Sequence, residues 1–282
     1  MATVVRSFAI QGIDGYPVDI EIKMLEGQPS ISIIGLGDQA VKEAAERIQA
    51  AIDESGYVFP KKRVIISLAP SDKKKSGSHF DLAMAVGVLC QNGDIGVKKL
   101  PDYGFIGELS LDGRLRACRG ILPMIIAGQK RGIKKIIVPE ANFKEASLVH
   151  GVEILGFYDL TGVIRYLEGK TTGIETHMEE NEKILEESER ILDFKDVKGQ
   201  DELIEAVVLA AAGGHNMLMV GEPGCGKTMI AQRIPTILPE MTEEECLEVT
   251  KIYSISGLLP NGHALMKYRP FRAPHHNASL NA

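Results

Sequence analysis

Gly221-Glu222-Pro223-Gly224-Cys225-Gly226-Lys227-Thr228 fills the template G-x-x-x-x-G-K-[ST] at every fixed position. Each fixed residue has a physical reason. Glycines at 221, 224 and 226 let the backbone curl so that successive N–H groups point inward. The curl opens onto a helix N-terminus, whose partial positive charge favours phosphate. Lys227 adds a full charge at the β- and γ-phosphates, and Thr228 offers a hydroxyl to a Mg²⁺ that bridges them. The expected ligands are ATP and Mg²⁺. Lys227 and Thr228 are the expected catalytic pair, with Thr228 touching the metal through ATP. All eight residues are expected to line the nucleotide site. Cys225 reads as a small filler whose backbone N–H is what the phosphate needs.

Outward from the loop, Asn216–Val220 reads as a short apolar strand leading in, and residues 227–234 as the helix leading out. Residues 201–212, rich in Ala, Leu, Val and Ile, form another helix candidate, broken by Gly213-Gly214. Upstream, residues 170–192 change character. Glu175, Glu179, Glu180, Glu182, Glu186, Glu187 and Glu189 face only Lys170, Lys183 and Arg190. Such a run buries little apolar surface and reads as a solvated acidic linker.

Residues 1–169 alternate strand-like and helix-like runs. Val18, Ile20 and Ile22 alternate with Asp19, Glu21 and Lys23, the pattern of a half-buried strand. Ile31, Ile33 and Ile34 follow. Val41, Ala44, Ala45, Ile48, Ala51 and Ile52 recur at helical spacing across 38–54, with Gly56 as the stop. Val64–Leu68 is a β-rich run ended by Pro70, and Phe80–Leu89 a buried helix. Phe105–Leu115 reads as a hairpin around Asp112-Gly113. Ile136–Val138 is a short buried strand, and a further helix begins within 140–147. The expected class is therefore α/β and α+β, with residues 1–169 as one domain and 193–282 as a second.

The 282 residues carry a net charge of −6, 44% hydrophobic and 25% charged residues. That is an ordinary globular composition. The negative balance argues against broad coating of nucleic acid or an anionic membrane, though a narrow basic channel stays compatible with it. Cys90, Cys118, Cys225 and Cys246 form no CxxC pair, which fits a reducing, cytoplasmic setting. No stretch approaches the ~18 continuous apolar residues of a membrane span.

Three further stretches carry a family resemblance. Asp193-Phe194-Lys195-Asp196-Val197-Lys198-Gly199-Gln200 resembles the adenine-side element of AAA+ ATPases of the magnesium-chelatase clade. Arg269-Pro270-Phe271-Arg272-Ala273-Pro274-His275-His276-Asn277-Ala278-Ser279 is similar to that clade's RPFRAPHH motif. Gly107–Arg114 and Arg131–Glu140 resemble the Lon-protease (ribosomal-protein-like) fold. A Lon-like block before a chelatase-type ATPase resembles the layout of the YifB/ComM family. The resemblance implies a ring-forming, hexameric P-loop AAA+ ATPase of the bacterial cytoplasm. It also implies a DNA partner, with branch migration during recombination in natural transformation as the activity. Walker B, sensor and arginine-finger residues have no counterpart after Thr228, so this reading expects a truncated ATPase domain within a longer protein. Turnover by this piece alone is expected to be negligible, since absent arginine fingers cost ~10³–10⁵ in rate.

Three other readings compete. A magnesium-chelatase motor subunit would ordinarily begin with its ATPase domain, so residues 1–168 count against it. An ATP-dependent protease of Lon type needs a Ser–Lys dyad. Ser78 falls near the serine position, but alignment back from Arg131-Gly132 puts Leu122 at the lysine position, and leucine accepts no proton. A non-catalytic scaffold that uses nucleotide only to assemble is a third alternative. His275-His276 point to opposite faces of an extended chain and chelate one ion poorly. With Arg269 and Arg272 they are either a loop contacting a neighbouring subunit or nucleic acid, or a solvated basic loop. Lys61-Lys62-Arg63 and Lys73-Lys74-Lys75 read as exposed faces.

Overall fold

The computed structural model describes residues 2–96, 100–172, 192–259 and 265–274. The chain divides into two compact units, one of residues 1–178 with 249–265, the other of 179–248 with 266–282.

The first unit is built on a seven-stranded mixed sheet. Its strands are β1 (Thr3–Gln11), β2 (Asp14–Leu25), β3 (Ser30–Ile34), β4 (Arg63–Ala69), β5 (Tyr103–Phe105), β8 (Lys135–Pro139) and β9 (Glu153–Phe157). Their order is β3-β4-β2-β1-β5-β8-β9. Pairing is antiparallel only across β4-β2-β1; the other neighbours run parallel. The alternation read in β2 sets its register: Ile20 faces Leu68 and Ile22 faces Ile66 across the β2–β4 ladder, all four buried. A one-residue slip would turn this set to solvent.

Helix α1 (Gln39–Glu54) crosses between the parallel strands β3 and β4. Its start is fixed by Asp38, whose carboxylate accepts the Val41 N–H at 3.0 Å and the Gly77 N–H at 3.1 Å. Gly56, at φ +85°, follows the helix end in the left-handed region that glycine tolerates. Helix α2 (Asp81–Asn92) is buried from Asp81 through Leu89. The small hairpin β6 (Glu108–Leu109) and β7 (Leu115–Arg116) turns at Gly113, φ +78°. Helix α3 (Ile121–Lys130) precedes β8; α4 (Phe143–Ala146) and α5 (Leu160–Leu167) flank β9.

Both faces of the sheet are covered. Val5 of β1 points toward Gly87 of α2, and Phe8, on the opposite face, points toward Gly128 of α3. Burying Phe8 fully contributes roughly 1.5–3 kcal/mol. Helix α3 comes close to the sheet at Gly15, where an added Cβ would lie 2.1 Å from the Pro123 carbonyl oxygen. Backbone cannot swing aside as a side chain can. Gly15→Ala is expected to cost about 1–3 kcal/mol, read as a lower urea midpoint at unchanged slope.

One ion pair is locked inside this unit. Arg47 of α1 donates to both carboxylate oxygens of Asp81, at 2.7 and 3.1 Å, and to the Ala40 carbonyl at 2.9 Å. Asp81 is fully buried and also accepts the Leu109 N–H at 3.3 Å. Burial pushes its carboxyl up to about 6, against the pull of the Arg47 guanidinium. Arg47 itself is raised, first by that same hydrogen bond. The pair therefore exists as a pair only above the Asp81 value.

The second unit holds α6 (Asp201–Gly213) and α7 (Lys227–Arg233), followed by a 3-10 turn at Ile234–Ile237. Helix α8 (Glu243–Ser256) begins in this unit and ends in the first. Val197, Val207 and Ile230 form its small core, with Phe194, Leu203, Met219 and Met229 against them. One expected element is absent. Asn216–Val220 is irregular, and Leu218 and Val220 are 90% and 87% exposed. A strand persists only when a neighbour takes up its hydrogen bonds, and none of the described residues does so. The acidic stretch from 173 to 191 lies outside the described residues.

Among the described residues, no helix is long and apolar enough to cross a membrane.

Candidate functional site: the glycine loop at 221–228

Three glycines shape the loop for two different reasons. Gly224 and Gly226 adopt φ +83° and +89°, a region that costs a residue bearing a Cβ about 1–2 kcal/mol. At Gly221 the fit is close instead: an added Cβ would lie 3.0 Å from the Cys225 sulfur, which would have to shift. Pro223 stands exposed near the apex and Glu222 beside it. The Cys225 N–H donates to the Glu222 carbonyl at 3.4 Å, closing the curl.

Helix α7 starts directly after Gly226, with Lys227 as its first residue. The Lys227 ammonium turns back into the curl. It donates to the Gly221 carbonyl at 2.7 Å and the Glu222 carbonyl at 2.9 Å, and lies 3.5 Å from the Cys225 sulfur. Thr228, next on α7, is exposed, so its hydroxyl is accessible at the same end of the helix. The motif therefore brings Gly221, Glu222, Cys225, Gly226, Lys227 and Thr228 around one concave turn carrying one full positive charge.

The segment 193–200 adjoins this turn. The Asp193 carboxylate accepts the Lys195 N–H at 2.9 Å and so caps the 3-10 turn at Phe194–Asp196. Gly199 and Gln200 then take φ +69° and +62°, and the Gln200 amide donates to the Cys225 carbonyl at 3.3 Å. A residue absent from the sequence reading also belongs here: Arg233, buried at the end of α7. Its local sequence gives little signal, because its main partners lie 37 and 40 residues upstream.

The other candidates separate from this turn. Arg269 donates to the Pro239 carbonyl at 2.8 Å and to the Glu245 carboxylate at 3.0 Å. It thus ties the motif at 269–279 to the start of α8, while Arg272 is exposed. His275, His276, Asn277, Ala278 and Ser279 lie outside the described residues. In the first unit, Ser78 donates to the Glu108 carboxylate. Leu122 is fully buried in the first turn of α3 and offers only its N–H, to Glu145 at 3.2 Å. The neighbouring imidazole is no substitute base: one ring nitrogen of His79 is 2.9 Å from the Phe8 carbonyl, and burial pushes its pKa down to about 4. The reading of Lys73-Lys74-Lys75 as one exposed face needs correction. Lys75 is fully buried, its ammonium donating to the Pro70 carbonyl, and Lys73 lies 4.5 Å over the Tyr16 ring. Lys75 sits where residues 36–38 bridge to it through backbone bonds, which carries its side chain inward.

Family models match both parts of the chain: "Subunit ChlI of Mg-chelatase" over residues 20–142 and "Magnesium chelatase, subunit ChlI" over 193–282. An uncharacterized protein of Mycobacterium tuberculosis is 39% identical over 276 residues, covering 98% of this chain and 54% of its own. The competence protein ComM of Haemophilus influenzae is 36% identical over 280 residues, 99% of this chain and 55% of that protein. YifB of Escherichia coli is 38% identical over 285 residues, 99% and 54% respectively. The chain thus spans about half the length of the curated relatives it matches. A Lon protease of Rhizobium meliloti is similar over 149 residues at 26% identity, covering 50% of this chain and 18% of that protein. The mixed, mostly parallel sheet fits this Lon-like part, and the glycine loop fits an AAA+ part. Similar along nearly its whole length to both YifB and ComM, the chain belongs to their Mg-chelatase-like family.

Proposed function

We propose that residues 221–228 bind ATP with Mg²⁺, and that the chain is part of a ring-forming AAA+ motor working on DNA, by branch migration in recombination. In this reading residues 1–169 are a Lon-like domain, 170–192 a linker, and 193–282 the beginning of the ATPase domain. The observation that carries it is the Lys227 ammonium held inside a curl that turns through positive φ at Gly224 and Gly226. That charge is placed to neutralise terminal phosphates. The Thr228 hydroxyl is the oxygen ligand this chain would offer Mg²⁺, and the loop N–H groups orient the phosphates. Bound ATP supplies the energy of phosphoryl transfer.

The DNA role is supported by the likeness to a protein named for competence. A net charge of −6 confines DNA contact to a local basic surface rather than the whole exterior. Ser78 donates to the Glu108 carboxylate, and Leu122, at the position aligned with the dyad lysine, has no amine, so the Ser–Lys dyad of a Lon-type peptidase is missing. The test is phosphate release by the longer protein that contains this chain, with and without branched duplex DNA. Branched DNA is expected to accelerate turnover. Turnover indifferent to every DNA form would favour a chelatase-type motor or a scaffold instead.

A further inference from the structure

Arg233 is only 8% exposed. A buried cation is tolerated where its donors are all engaged. Its Nε donates to the Asp193 carbonyl at 2.9 Å, one terminal nitrogen to the Asp196 carboxylate at 3.1 Å, and the other to the Met229 carbonyl at 3.0 Å. Asp196 is held below the usual carboxylate range, first by that bond. One side chain thus fastens the segment 193–196 to the end of α7. At its other end the same segment touches the loop before α7, through Gln200 and the Cys225 carbonyl. Between these ties, Phe194 and Val197 pack in the core that includes Met229 and Ile230 of α7.

A nucleotide whose phosphates lie in the 221–228 curl must place its base and ribose outside it. The segment 193–200 is the surface that adjoins the curl by a side-chain hydrogen bond. Arg233 lies six residues beyond Lys227, about 9 Å along the helix axis, and its guanidinium is engaged by Asp193, Asp196 and Met229 rather than by the curl. We propose that Arg233 is a positioning residue for nucleoside recognition: it holds the segment 193–200 at a fixed place beside the phosphate curl, so that base and ribose meet a formed surface. This rests on the reading of 221–228 as the phosphate site.

The test compares Mg-ATP with Mg-tripolyphosphate, which has the phosphates and no nucleoside, by calorimetric titration of this chain. In Arg233→Gln, ATP affinity is expected to fall about tenfold while tripolyphosphate affinity stays within about twofold. Arg233→Lys should recover part of the ATP affinity, because one ammonium still reaches a carbonyl or the carboxylate. Asp196→Asn, which keeps Arg233 and its two carbonyl bonds, should show a smaller loss confined to ATP. An equal fall for both ligands across these variants would mean general damage to the unit and overturn the assignment. Unchanged ATP affinity in Arg233→Gln would overturn it as well. Wild-type chain that binds tripolyphosphate as tightly as ATP would remove nucleoside recognition and leave the phosphate site standing. Wild-type chain that binds neither would remove both.

Discussion

Replacing Lys227 with alanine is expected to weaken Mg-ATP binding to this chain about a hundredfold. A hydrogen bond to a charged group is worth about 1.5–3 kcal/mol, and roughly 2.8 kcal/mol is a hundredfold in affinity. The ammonium has a second duty, because it also bridges the Gly221 and Glu222 carbonyls. Lys227→Gln separates the two roles. Its amide can still donate to those carbonyls but carries no charge. If charge is what the nucleotide reads, Lys227→Gln should lose nearly as much affinity as Lys227→Ala. If loop shape is what matters, the glutamine variant should bind nearly as wild type. Tripolyphosphate should weaken along with ATP in both variants, the opposite of the pattern expected at Arg233.

Replacing Arg47 with alanine is expected to cost the first unit about 3–5 kcal/mol near neutral pH, the usual result of stripping one partner from a buried ion pair. Asp81 would keep its Leu109 N–H bond but lose two guanidinium donors. The pH dependence fixes the sign. The folded value of Asp81, about 6, already lies above the ordinary 3.8. The folded chain therefore binds the proton more tightly than the unfolded chain between those limits. Stability from this group is fully present below the unfolded value and is lost as pH rises through the folded one. Without Arg47 the folded value rises further, so the loss continues to higher pH. Urea unfolding should show a small gap between wild type and Arg47→Ala at about pH 5 and a larger one at about pH 8. A gap independent of pH would mean that Arg47 acts through its packing and its bond to Ala40 rather than through the Asp81 charge.

Much of the first unit is legible from local pattern. The alternation of Val18, Ile20 and Ile22, the helical spacing through α1 and the Asp112-Gly113 turn all meet their expected elements. These are cases where local propensity and tertiary burial agree. Other elements carry no such period. Helix α3, Ile121–Lys130, is apolar on nearly every side, with Pro123 in its first turn, because it is buried against both β1 and β2. β1 mixes Arg6 and Ser7 into its apolar run. The error at Asn216–Val220 runs the other way. Its composition suits a strand, but strand formation depends on a partner that composition does not report.

The site divides similarly. The loop residues are legible because each does its work within eight positions of sequence. Lys75 and Arg233 are not, since the burial of a cation depends on partners brought by the fold. For Lys75 the distant partner is the backbone bridge to residues 36–38; for Arg233 they are Asp193 and Asp196.

The central claim is that the 221–228 curl holds a nucleotide's terminal phosphates. Amide hydrogen exchange of this chain, followed during titration with Mg-ATP, tests it most directly. Saturable slowing of exchange centred on residues 221–228 is the expected result, with a weaker effect at 193–200. Exchange in the curl that stays unchanged at millimolar Mg-ATP would contradict the account.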